Sequence, residues 1–297
     1  MQRASFSERL QSQGWNDFGP NSAWLGRSYS LEQHLQRQRP LQILRLPGTT
    51  LLSVQHDLLH IVDKGTASHI LANELFLLVQ DSGVDGNVAQ RTEHLWWLIS
   101  MEYDTLEVPL SSRIPALHFK MFCDSEAKNP TVYPEMSQVK AAHMKHLARA
   151  VLAVSQNQFA QPNNLYEHRR RILQHLCSFY DLIAAADIVP SAEEGQQIYM
   201  VVHKCVLHYT FLAEYWAKRG RLLFSVVPKF HFWIHLAENA KYANPRSSSC
   251  YSNEDYVGRV ARVAAAVVKG RAATRVGQGV ARNLRTALEV RFHRRSA

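Results

Sequence analysis

Residues 136–158 read MSQVKAAHMKHLARAVLAVSQNQ, and within them Val139, His143, Leu147, Ala150, Val151 and Val154 recur at three- and four-residue intervals. That period lays one apolar stripe along an α-helix. Pro162-Asn163-Asn164 interrupts it, and Leu165–Ala186 then repeats the pattern with Ile172, Leu176, Phe179 and Ile183. A third such segment opens at Pro190-Ser191 and reaches about Lys218, with Gly220 closing it. Ser191 reads as its N-cap, and Glu193 and Glu194 in the first turn favour the helix dipole. Long helices with short connections pack antiparallel, so residues 136–219 are expected to form one helical unit.

Working outward, Leu51–Val62 carries Leu52, His56, Leu59 and Val62 at helical spacing. Gly65 is expected to interrupt, after which Ala67–Val79 places Ile70, Leu71, Leu75 and Leu78 on one face of a second helix. Asp81–Asn87 reads as a loop, Glu93–Met101 is strongly apolar, and Cys123–Pro134 is turn-like. A short helix is expected over Leu31–Arg37, and short strands over Leu41–Leu46 and Leu222–Val227. Lys229–Ala240 reads as a helix, Asn253 as the cap of the next one, and a last helix should end near Phe292. The divisions expected are an irregular segment over 1–40, a partial core over 41–135, a helical insertion over 136–220 and basic C-terminal helices over 221–297.

Composition narrows the function classes. A chain of 297 residues with 46% hydrophobic and 20% charged residues can bury a core and is not of the disordered type. No run of eighteen apolar residues occurs, so no membrane partner is expected. Cys123, Cys177, Cys205 and Cys250 lie far apart and suggest neither a zinc ribbon nor a disulfide framework, which makes an intracellular, reducing setting the expectation. Walker A, G-x-G-x-x-G and G-x-S-x-G patterns do not occur, so no small-molecule cofactor is expected. The net charge of +9 is unevenly placed: residues 241–297 hold twelve Lys and Arg against three acids, and residues 1–240 are balanced. A basic end of this kind suits a polyanion, DNA or RNA, whose released counterions drive binding. The other reading is a solvated helix face with a basic tail.

Asp57 and His60 are three residues apart and share a helix face, where they can hydrogen-bond or approach one metal or phosphate. His231 and His235 have the spacing of zinc helices but lack the glutamate of H-E-x-x-H. With Phe230, Trp233 and Leu236 interleaved, they read as partly buried packing or phosphate-facing groups. Glu254 falls in the first turn of a helix beside Asp255, ahead of Arg259, Arg262, Lys269 and Arg271. It reads either as a cation ligand beside a basic, backbone-facing run or as a carboxylate that merely favours the helix dipole.

Two blocks together resemble a family. Leu41–Pro47, Leu51-Leu52 and His56-Asp57-Leu58-Leu59-His60-Ile61 form the first. The second comprises Lys229-x-His231, His235-Leu236-Ala237-Glu238, Asn244-Pro245 and Tyr251, with Glu254-Asp255-Tyr256-Val257-Gly258. They are similar to the Asp-x-x-His segment and the C-terminal region of CACTA-type (En/Spm-like) DNA transposases. The resemblance implies a mainly α chain, a helical bundle inserted in a partial ribonuclease-H-like α/β core. It also implies two-Mg²⁺ strand cutting and joining by three acids. Carried over by position, Glu254 is the third carboxylate, Asp57 a catalytic acid or its neighbour, and His60 a group near the scissile phosphate. Asp57 and Glu254 would be the metal ligands, and Lys229, His231, Arg259, Arg262, Lys269 and Arg271 would face nucleic acid.

The chain departs from that pattern at the first aspartate, for which only Asp17 stands upstream, in turn-rich sequence. It has Asn244-Pro245 where the family commonly has Gly-Pro, and Asn253 where an aromatic residue precedes the glutamate. The expectation is the C-terminal part of a transposase, truncated or degenerate, that binds DNA with an incomplete Mg²⁺ site. It would be nuclear if eukaryotic and functional, with a homo-oligomer as one open alternative. The competing expectation is a helical protein-interaction module with no nucleic-acid role.

Overall fold

The computed structural model describes Phe18, Gln36 and residues 56–124, 129–158, 163–268 and 277–286, with 252–256, 259, 266 and 268 described by backbone alone. The chain becomes helical at Leu58 and continues without a break to Asp81. Leu59–Thr66 has π spacing and leads straight into α1 (Ala67–Asp81). Gly65 therefore lies inside this helix and does not interrupt it. A Cβ at residue 65 would meet Cδ of Lys229 at 2.6 Å and the carbonyl oxygen of His60 at 2.8 Å. Only glycine leaves room for the Lys229 side chain to lie across the helix there.

α1 is buried on every side from Ala67 to Val79, which makes it the central helix of its unit. Asn87 then starts α2 (Val88–Thr105) with a capping box: its side chain accepts from the Gln90 amide, and the Gln90 side chain accepts from the Asn87 amide. Short 3-10 turns at Leu110–Ser112 and Phe119–Met121 lead to α3 (Ala141–Gln158). α4 (Asn164–Ala185) and α5 (Ala192–Ala217) follow, begun by Asn163 and Ser191 as N-caps. Ser191 forms the capping box with Glu194, as its position next to two acids suggests. α6 (Pro228–Glu238) has proline in its first turn, where a missing N–H costs nothing.

Within the first of two compact units, Met1–Ser248, one continuous core joins the π-helical turn and α1 through α6. Phe179 of α4 meets Trp233 of α6 edge to face at 5.3 Å, and Tyr209 of α5 stacks on Phe230 at 4.2 Å. The helices expected as an insertion thus share their core with the segment carrying Asp57 and with α6. Two buried acids of this core are paired with distant helices. Arg169 donates two hydrogen bonds to the Glu74 carboxylate (2.9 and 3.1 Å) and one to Asp81 (2.9 Å). The Tyr180 hydroxyl donates to Asp63 at 2.7 Å.

The fold is mainly α, and no strand occurs among the described residues. Leu222–Val227, expected as a strand, is irregular because Phe224 sits at φ 56°. A left-handed residue breaks the pleat. Its amide N–H donates to Asn73 Oδ1 of α1 at 2.7 Å, in place of a neighbouring strand. The ribonuclease-H-like α/β core implied by the resemblance therefore finds no sheet among the described residues. The expected strand Leu41–Leu46 and helix Leu31–Arg37 lie outside them.

The second unit, Ser249–Ala297, contains α7 (Tyr251–Val268) and a helical stretch over 277–286. Helix α7 starts at Tyr251, so Asn253 lies inside it and is not its cap. None of the described helices is long and apolar enough to cross a membrane.

Candidate functional site

Asp57 immediately precedes helical Leu58, and its carboxylate is used at that helix start. Oδ1 accepts the Leu59 amide and Oδ2 the His60 amide, each at 3.2 Å. His60 Nδ1 closes on the same Oδ2 in a short contact. The Asp57–His60 pair thus forms as the three-residue spacing expects, with the aspartate acting as an N-cap. His60 is the more exposed partner.

His56 turns towards α6. Its ring lies 5.2 Å from Phe232 and 6.1 Å from His235, nearly parallel to the latter. Burial, and then the nearby His235, lower the His56 pKa below its usual value. The two sequence blocks that carry the family resemblance therefore meet through their histidine-bearing parts, 56–60 and 229–238. On α6, His231 Nε2 and His235 Nε2 are 3.0 Å apart, and His235 Nδ1 is 3.1 Å from Glu238 Oε2. The carboxylate beside these histidines is Glu238, one turn beyond the second, and not the internal glutamate of H-E-x-x-H.

The Lys229 ammonium donates to the Lys64 carbonyl at 2.9 Å, anchoring α6 to the π-helical turn. In the second unit, Glu254 lies in the first turn of α7, and Arg259 and Arg262 follow on the same helix. Arg262 is exposed, with Nε 3.3 Å from the Gly258 carbonyl. Arg282 and Arg285 are exposed on the 277–286 helix. Lys269 and Arg271 lie outside the described residues. Asp57 and His60 belong to the first unit and Glu254 to the second.

A second histidine group went unread in the sequence because it joins two helices. His168 Nδ1 of α4 and His208 Nδ1 of α5 are 2.9 Å apart, and the His168 ring stacks on Phe211 at 3.9 Å. His175, two turns along α4 from His168, stacks near His208 at 5.8 Å. Burial lowers all three pKa values, that of His175 to about 4, with His208, Lys204 and Arg171 adding to the effect there. That direction favours the neutral rings, and all three histidines are half-buried.

No protein-family model, curated protein or solved structure matches this chain.

Proposed function

We propose that this protein binds nucleic acid through its C-terminal unit and derives from a CACTA-type DNA transposase, with catalysis incomplete in this chain. The supporting observation is the coincidence of a charge boundary with a structural one. The unit Ser249–Ala297 holds ten Lys and Arg against three acids. Three of those arginines, Arg262, Arg282 and Arg285, are exposed on helices. Cations repeated along exposed helices suit a phosphate backbone, which is read by charge and spacing and not by base identity.

The ribonuclease-H-like core and the catalytic roles of Asp57 and of Glu254 belong to the same proposal and rest on the resemblance alone. At Asp57, three hydrogen-bond donors converge on the carboxylate. That donor set fits an N-cap better than a Mg²⁺ ligand, which wants converging acceptors. The reading therefore assigns this chain no metal-dependent step of its own.

A second reading, a protein-interaction module, draws on exposed Trp97 and Met101, one turn apart on α2. Duplex DNA binding by the full-length chain separates the two. Binding that weakens steeply with salt supports the nucleic-acid reading, and no binding at low salt rejects it.

A further inference from the structure

His231 and His235 occupy consecutive turns on one face of α6, and their Nε2 atoms are 3.0 Å apart. Both rings are half-buried. On the far side of His235, Glu238 Oε2 lies 3.1 Å from Nδ1. The carboxylate accepts from Nδ1–H, which fixes the tautomer whose Nε2 lone pair points at His231. A carboxylate behind an imidazole is how metal-ligating histidines are oriented and made more basic. An ion at the usual ~2.0–2.1 Å from each Nε2 would subtend roughly 90–100° between them, within the range of octahedral and tetrahedral coordination.

We propose that His231 and His235 form a two-histidine site for a divalent transition cation of the kind imidazole favours, Zn²⁺, Ni²⁺ or Cu²⁺. Glu238 is its positioning residue, and water fills the remaining positions. A hard cation such as Mg²⁺ is not its ligand, since it prefers oxygen donors.

This site stands independently of the nucleic-acid reading. Zinc titration of the full-length chain by calorimetry, without chelator, tests it. One equivalent is expected to bind, with affinity falling at least about tenfold in His231→Gln and in His235→Gln. Glu238→Gln is expected to weaken binding by about tenfold or more, as loss of an orienting carboxylate does. Circular dichroism of each variant checks that the fold persists. Copper(II) electron paramagnetic resonance on the unaltered chain gives a second readout, expected to show nitrogen hyperfine splitting from two imidazoles. Absence of Zn²⁺ binding, affinity unchanged in both histidine variants, or a copper spectrum without nitrogen coupling overturns the site. Full affinity in Glu238→Gln overturns the positioning role.

Discussion

The ammonium of Lys229 and the carbonyl of Lys64, 165 residues apart in sequence, meet at 2.9 Å across the turn that contains Gly65. Lys229 thus holds α6 against the π-helical segment, and its expected effect is on stability. Lys229→Met, which keeps the aliphatic stem, should cost about 1 kcal/mol in urea denaturation. It should leave the salt dependence of DNA binding unchanged. Gly65→Ala should cost more, about 1–3 kcal/mol, because the His60 carbonyl that its Cβ meets is backbone and cannot swing aside.

Glu74 is almost fully buried and bound on both oxygens by Arg169. Removing its charge strands the guanidinium, which is itself buried. Glu74→Gln should destabilise the unit by about 3–5 kcal/mol, read from the denaturation midpoint at constant slope. A loss below about 1 kcal/mol would mean that Asp81 alone suffices for Arg169.

Asn244 has a visible role at the end of α4. Its Nδ2 lies within hydrogen-bond distance of the carbonyls of Ile183, Ala186 and Asp187 at the C-terminal end of α4, at 2.9, 2.9 and 3.0 Å. Its Oδ1 accepts the Arg246 amide at 3.0 Å. Asn244→Gly should lower stability by about 1–3 kcal/mol, since it leaves buried carbonyls unpaired. Thermal unfolding measures it.

The histidines between α4 and α5 set a pH dependence. Burial lowers the folded pKa of His175 to about 4 from an ordinary 6.5, with His208, Lys204 and Arg171 contributing. Between those values the unfolded chain binds more protons, so stability should rise with pH across that window and be complete above it. His168 and His208 shift in the same direction. His175→Phe should flatten the slope between pH 4 and 6.5 without lowering stability at pH 7 (window from the same shift). An unchanged slope would contradict this account.

Much of the helical architecture is legible in the sequence because it rests on local chemistry. The stripes through Ile172 and Ile183 and the Ser191–Glu194 capping box appear where period and cap residues put them. What was not legible depends on distant partners. Gly65 looks like a breaker until Lys229 is seen lying over it, and Leu222–Val227 looks like a strand until Asn73 draws the Phe224 amide into a left-handed turn. At the candidate site, the Asp57–His60 contact follows from spacing alone. The meeting of His56 with Phe232 and His235 does not, because helix packing brings together residues far apart in the chain.

The central claim is that the C-terminal unit carries a phosphate-binding surface. Fluorescence anisotropy of a labelled DNA duplex, titrated with the full-length chain at several salt concentrations, tests it most directly. Each lost phosphate contact should lower the slope of log affinity against log salt by about 0.9. Arg259→Ala with Arg262→Ala should therefore weaken binding and flatten that slope by about 2. A slope identical to that of the unaltered chain, or no binding at low salt, would contradict the claim.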